Sequence, residues 1–196
     1  MVFSSITFLF YYLPVFLLFY YLVPAKWQNL VLLVGSLVFY AFGAPRFLAI
    51  FIVMMFVNWL TTKQMHNSPA LKRKKWLLAA SITLNLLVLG YFKYMNFFVD
   101  NLNALLQLTN HNIISFNKIA LPIGISFFTF QSITYTVDVF RGEAAPLKRC
   151  SDYMLYISMF PQLIAGPIVR FNSIAAQIGE RRITMEARVN ALYFYI

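Results

Sequence analysis

The sequence predicts an all-α, polytopic integral membrane protein whose later helices are interrupted by Gly and Pro. Three observations carry that reading. Of 196 residues, 61% are hydrophobic and only 11% are charged, where a soluble domain holds about 45–50% and about 25%. Mean hydropathy is +0.70. The apolar residues also fall in runs long enough to cross a bilayer, for which about 20 residues are needed.

The elements follow in chain order. Met1 to Val23 carries no charged side chain and predicts a first span, kinked at Pro14 rather than ended there. Its apolar run is too long for the core of a cleavable leader, and no basic residues precede it, so no cleavable signal peptide is expected. The Pro24-Ala25-Lys26 turn leads to a second span, Trp27 to Phe42. Gly43-Ala44-Pro45-Arg46 breaks the chain before a third, Phe47 to Leu60. Connections this short make antiparallel neighbours.

Lys63 to Lys75 reads as a polar loop holding Lys63, Lys72, Arg73, Lys74 and Lys75. The bias of cytoplasmic loops toward Lys and Arg places it inside, and counting back through three spans puts the amino terminus outside. Trp76 to Tyr91 is a fourth span, in which Ser81, Thr83 and Asn85 can bond neighbouring helices. In Lys93 to Asn117, Phe97, Phe98, Leu102, Leu105 and Leu106 recur at helical spacing beside Asp100, Asn101, Asn103 and Gln107. That pattern predicts an amphipathic interfacial helix or a wet bundle face.

Leu121 to Phe140 and Tyr153 to Ile168 are apolar, yet broken by Pro122, Gly124, Pro161, Gly166 and Pro167. They hold Gln131, Asp138 and Gln162, with Arg141 just beyond the first. Broken helices with polar groups at membrane depth line cavities or substrate paths. Arg141 to Asp152 reads as the loop between them. Phe171 to Met185 predicts a surface connection, and Glu186 to Ile196 another apolar helix. The whole, 1–196, reads as a single transmembrane domain.

The net charge of +10 does not point to nucleic acid, because the basic residues cluster between apolar spans. Orientation and contact with anionic lipid heads account for them. Cys150 is the only cysteine, which excludes an intramolecular disulfide and a cysteine-ligated metal site.

Within Leu121 to Phe171 stand three ordered elements. They are Leu121-Pro122-x-Gly124-x-Ser126-Phe127-Phe128-x-Phe130-Gln131, then Tyr135-x-x-Asp138-x-x-Arg141-Gly142, then Phe160-Pro161-Gln162-x-x-x-Gly166-Pro167-Ile168. This signature region, 121–171, resembles the membrane-bound O-acyltransferase family, in its branch of alginate O-acetyltransferases and D-alanyl transfer proteins. The resemblance implies transfer of an acyl group, acetyl above all, from a thioester donor to hydroxyls of a cell-surface polysaccharide such as alginate. It implies no bound cofactor. It further implies acetyl-CoA or an acyl carrier protein as donor, a periplasmic acyltransferase as partner, and the inner membrane as location.

The family's catalytic histidine follows a Trp, downstream of the Gly-Pro-Ile element. None of Trp27, Trp59 and Trp76 precedes a His, so this chain covers the amino-terminal part of the family pattern. It is expected to be inactive alone and to contain no catalytic residue. His66 and His111 read as solvated loop residues without a metal site's spacing.

Gln131, Tyr135, Pro161, Gln162, Gly166 and Pro167 are the candidates for lining a substrate tunnel. An amide or phenol there can orient a carbonyl or hydroxyl, and Pro and Gly can leave backbone carbonyls facing a cavity. The competing reading is that the polar side chains knit helices together, which Tyr135 favours. Asp138 and Arg141, three residues apart, share a helix face and are expected to form a structural ion pair. Two other functions fit parts of the pattern: a non-catalytic scaffold or export-complex subunit, and a small transporter. The transporter lacks the inverted repeat that such folds carry.

Overall fold

The computed structural model describes residues 5–108, 114–160 and 171. They form six α-helices: α1 Leu13–Leu22, α2 Ala25–Gly43, α3 Leu48–Asn67, α4 Leu71–Leu108, α5 Ile125–Arg141 and α6 Cys150–Ser158. There is no strand among the described residues, so the expected all-α class holds. Among the described residues, three helical stretches are long and apolar enough to cross a membrane: Ala25–Gly43, Pro45–Asn67 and Leu71–Leu108. Phe8–Leu22 is apolar but shorter.

The chain runs helically across Pro14, as expected, and the reason is local. Pro14 has no N–H to give Phe10, and its ring crowds that carbonyl. A wide π-turn, Phe8–Tyr12, stands immediately ahead of α1 and accommodates the missing bond. α1 then packs closely on α2. A Cβ on Gly35 would lie 2.6 Å from Phe16 Cε2, so only glycine permits this approach. The Tyr12 hydroxyl donates to the Gly35 carbonyl at the same contact.

α3 is the central helix, packed against α4, α5 and α6, while α2 covers the other side of α6. Tyr40 stacks on Phe51 with ring centroids 4.4 Å apart, and Phe51 meets Phe128 edge-on at 5.3 Å. These rings join Met55, Tyr135, Tyr153 and Tyr156 in one buried cluster. Phe8, Phe39 and Phe160 form a second, under α1.

Two expected boundaries move. Lys63 to Lys75 is not a loop: α3 runs on to Asn67, α4 begins at Leu71, and only residues 68–70 break the helix. Lys, Arg, Gln and Met are good helix formers, so past the hydrocarbon edge charge alone does not end a helix. Pro69 does. Nor is the segment after Lys93 a separate helix. It continues the fourth span to Leu108, giving α4 38 residues and a length of about 57 Å at about 1.5 Å per residue.

Beyond α4, the returning chain is strapped back onto it by asparagines. Asn103 donates to the Ile114 carbonyl (3.0 Å) and accepts from its N–H (2.8 Å). Asn96 does the same for Ile119, at 2.7 and 2.9 Å. Each side-chain amide mimics a peptide group, so it satisfies both polar groups of one extended residue.

The first interrupted segment is interrupted only at its start. Gly124 has φ of 74°, a left-handed conformation that suits glycine, and α5 is continuous from Ile125. It ends at Gly142, φ 78°, where the Glu143 N–H closes back on the Asp138 carbonyl at 2.9 Å, a glycine-terminated C-cap. The loop expected over Arg141 to Asp152 contracts to 142–149. α6 starts at Cys150, three residues before the expected Tyr153, and leaves helical geometry at Met159. Residues 161–170, with the rest of that expected segment, and 172–196, with Glu186 to Ile196, lie outside the described residues.

Candidate functional site

α5 has polar side chains on the face that its neighbours cover. Thr129, Gln131, Ser132 and Thr136 are all at most 3% exposed; Thr129, Ser132 and Thr136, three and four residues apart, share one strip of the helix, with Gln131 beside them. Thr136 Oγ1 lies 3.1 Å from Thr62 Oγ1 on α3 and donates to the Ser132 carbonyl at 2.9 Å. Ser132 Oγ accepts from the Tyr153 hydroxyl of α6 at 3.1 Å. A hydroxyl seam therefore joins α3, α5 and α6.

One turn before Thr62, Asn58 continues the seam to α4. Its Nδ2 donates to Asn85 Oδ1 (3.1 Å), and Asn85 Nδ2 donates back to Asn58 Oδ1 (2.6 Å). Ser81 Oγ donates to the same Asn58 Oδ1 at 3.1 Å. Asn58 and Asn85 are fully buried, so this reciprocal amide pair is shielded from lipid and water alike.

The tunnel candidates Gln131 and Tyr135 stand one turn apart on α5, and both face α6. Gln131 Nε2 donates to the Tyr156 carbonyl at 3.2 Å. The Tyr135 hydroxyl accepts from the Leu147 N–H at 2.8 Å, and Trp59 Nε1 donates to the Leu147 carbonyl at 2.9 Å. Leu147 is thus held on both sides, by α5 and by α3, and the 142–149 connection is fixed at that end of the bundle. Lys63 Nζ stands 4.7 Å from the Trp59 ring centroid, a cation–π contact at the same place. The hydroxyls of Thr129 and Ser158 are buried and make no hydrogen bond with any described residue.

Arg141 takes Glu143, not Asp138, as its ion-pair partner, with Nη1 3.8 Å from Oε1. Gly142 explains the exchange: its left-handed turn folds the next residue back against the helix end. Asp138 sits one turn earlier, half-buried, its carbonyl engaged in the C-cap. Pro161, Gln162, Gly166, Pro167 and His111 lie outside the described residues. His66 is exposed in the last turn of α3, one turn beyond Thr62.

The seam's amides and hydroxyls bond one another and supply no base near neutral pH. Sequence reading picked out Ser81, Asn85, Gln131 and Tyr135 and missed Asn58, Thr62, Thr129, Ser132, Thr136 and Tyr153. The signal for several was present: Asn58/Thr62 and Ser132/Thr136 are polar pairs at i, i+4 within apolar runs.

Comparison with known proteins bears on what this bundle is part of. The sequence is 41% identical over 191 residues to a probable alginate O-acetylase AlgI of Pseudomonas syringae pv. tomato, which covers 95% of this chain and 36% of that protein. A probable alginate O-acetylase AlgI of Azotobacter vinelandii is 41% identical over 187 residues, covering 95% of this chain and 38% of the relative. The chain is a homologue of the alginate O-acetylases. A peptidoglycan O-acetyltransferase of Helicobacter pylori is 31% identical over 211 residues, covering 92% of this chain and 39% of that protein. The homologue thus spans a little over a third of the length of these relatives. No family model matches the sequence, and no solved structure matches it significantly.

Proposed function

We propose that this chain forms an amino-terminal membrane bundle of an O-acyltransferase that transfers an acyl group, acetyl first, to hydroxyls of a cell-surface polysaccharide, with alginate the leading acceptor. The observation that carries the proposal is 41% identity over 95% of the chain to alginate O-acetylases. The peptidoglycan O-acetyltransferase match widens the acceptor class to cell-surface glycans. The buried seam adds physical sense: amides and hydroxyls at membrane depth can position a reacting carbonyl while competing water is restricted.

Charge distribution supports an orientation. Lys26, Lys63, Lys72, Arg73, Lys74, Lys75, Arg141, Lys148 and Arg149 fall at one end of the bundle: the starts of α2, α4 and α6 and the ends of α3 and α5. In this reading that end is cytoplasmic, the amino terminus is outside, and the membrane is the inner one. The donor, acetyl-CoA or an acyl carrier protein, approaches from the basic end. The polysaccharide and any periplasmic acyltransferase partner meet the other. Gln131, Tyr135, Pro161, Gln162, Gly166 and Pro167 are proposed to border the path between them.

In this proposal the base is a histidine beyond this chain, as in the family it resembles, and the seam positions rather than reacts. Acyl transfer is expected only when the chain is expressed together with a downstream segment bearing the Trp-His element. His66→Ala is expected to leave that transfer unchanged. The scaffold reading gains if the combined protein turns over no donor yet co-purifies with a polysaccharide acyltransferase. Turnover by this chain alone, lost in His66→Ala or His111→Ala, overturns the assignment of the base.

A further inference from the structure

We infer that the pocket between the α2–α3 turn and the segment leading into α5 is a subsite for a carboxylate-bearing sugar, held by Arg46; this rests on the reading of the chain as part of a polysaccharide O-acyltransferase. The pocket has a volume of about 220 Å³, with Pro45, Arg46 and Phe47 on one wall and Ala120, Leu121 and Ile123 on the other. That is below the roughly 300–1,000 Å³ of drug-sized sites and suits one ring of a polymer.

Its walls are pinned. On one side Pro45 opens a short 3₁₀ turn, closed by the Phe47 N–H on the Ala44 carbonyl at 3.1 Å. On the other, Asn96 grips both polar groups of Ile119, the residue before the wall begins. Preformed walls lower the ordering cost of binding.

Arg46 is the notable charge. Nine described cations gather at the opposite end of the bundle, and the bias that orients membrane helices does not account for a cation here. The described neighbours at this end have contacts. Lys118 Nζ lies 3.9 Å from Asp100 Oδ2, and Lys93 Nζ stands 5.3 Å from the Tyr94 ring. Arg46 makes no ion pair or hydrogen bond with any described residue. A guanidinium presents paired N–H donors that match a carboxylate, and the apolar walls suit the C–H face of a sugar ring. Alginate, the acceptor named for the relatives, is a polymer of uronic acids, and peptidoglycan also carries carboxylates.

The test is binding, separate from turnover. The full chain is placed in phosphatidylcholine nanodiscs and titrated with a uronate tetrasaccharide and with its carboxyl-reduced neutral counterpart. Arg46→Ala is expected to weaken uronate binding about tenfold, the scale of one charge-assisted contact. Arg46→Lys, which keeps the charge but loses the fork, should fall between. Binding of the neutral sugar and thermal stability should not change, since the Arg46 side chain pairs with no described residue. The proposal is overturned if Arg46→Ala binds uronate as the parent does, or if the parent fails to prefer uronate over the neutral sugar. It is also overturned if, in a parallel set of nanodiscs doped with phosphatidylglycerol, the Arg46 effect appears only as altered retention of that lipid, which would make the pocket a lipid headgroup site. Failure of acyl transfer in the reconstituted enzyme sinks the proposed function and leaves uronate binding at Arg46 standing.

Discussion

Replacing Asn85 with Leu cuts the buried amide pair between α3 and α4 and strands its partner. The variant removes the bond from Asn58 Nδ2 (3.1 Å) and the reciprocal bond from Asn85 Nδ2 (2.6 Å). It leaves Asn58 with the Ser81 hydroxyl alone. A buried amide without partners costs about 1–3 kcal/mol. Side-chain bonds between membrane helices average only about 0.6 kcal/mol and reach about 1.7, because the separated helices find other partners. The stranding term therefore dominates, and a loss of about 1–2 kcal/mol is expected. Converting both residues, Asn58→Leu with Asn85→Leu, removes the stranded group as well. Ser81 can then turn to its own helix, bonding the carbonyl four residues back. The double variant should be no less stable than either single one, a coupling of about 1 kcal/mol or more. Reversible unfolding in mixed micelles, on the parent, both singles and the double, measures this cycle. Losses that simply add, within the about 0.3–0.5 kcal/mol typical of independent sites, would refute the reciprocal pair.

Four further outcomes are expected. With Cys150→Ser as background, Ala70→Cys should resist impermeant thiol reagents added to intact cells while Pro45→Cys reacts; the reverse pattern would invert the bundle. Gly142→Ala has open space around its new methyl but must hold φ near 78°, so thermal unfolding should show a loss of about 1 kcal/mol, with Gly142→Asn milder. Gly35→Ala should be worse, because its methyl meets the Phe16 ring rather than space. Tyr135→Phe frees the Leu147 N–H, and hydrogen exchange in 142–149 should quicken by about fivefold to tenfold, the equivalent of about 1 kcal/mol; unchanged protection would show that Trp59 alone holds the loop.

The membrane class and the first three apolar runs were legible because hydrocarbon imposes length and composition directly on sequence. Helix ends were not, because the constraint lapses at the membrane surface: Lys72 to Lys75 read as a loop yet open α4. Pro69 and Gly142 carried the true punctuation. Gln131 and Tyr135 stood out as polar groups in apolar sequence, but their contacts with Tyr156 and Leu147 depend on how α6 packs. Asn58 and Thr62 escaped notice, for a single Asn in an apolar run gains meaning only when Asn85 arrives opposite it. Arg141 shows the same limit in reverse, since helical spacing favoured Asp138 and a glycine turn delivered Glu143.

The unbroken length of α4 has a mechanical consequence. Transmembrane helices tilt by up to about 40°, and at that extreme a rod of about 57 Å still rises about 44 Å, against a hydrocarbon core of about 30 Å. Roughly 14 Å, more than two helical turns, must therefore stand clear at any tilt. A bilayer a few Å thicker or thinner changes how far the rod protrudes, not whether it does. Because Asn96 and Asn103 bind the returning strap to the rod itself, the entrance to α5 keeps its height relative to the protein while the lipid surface rises and falls around it.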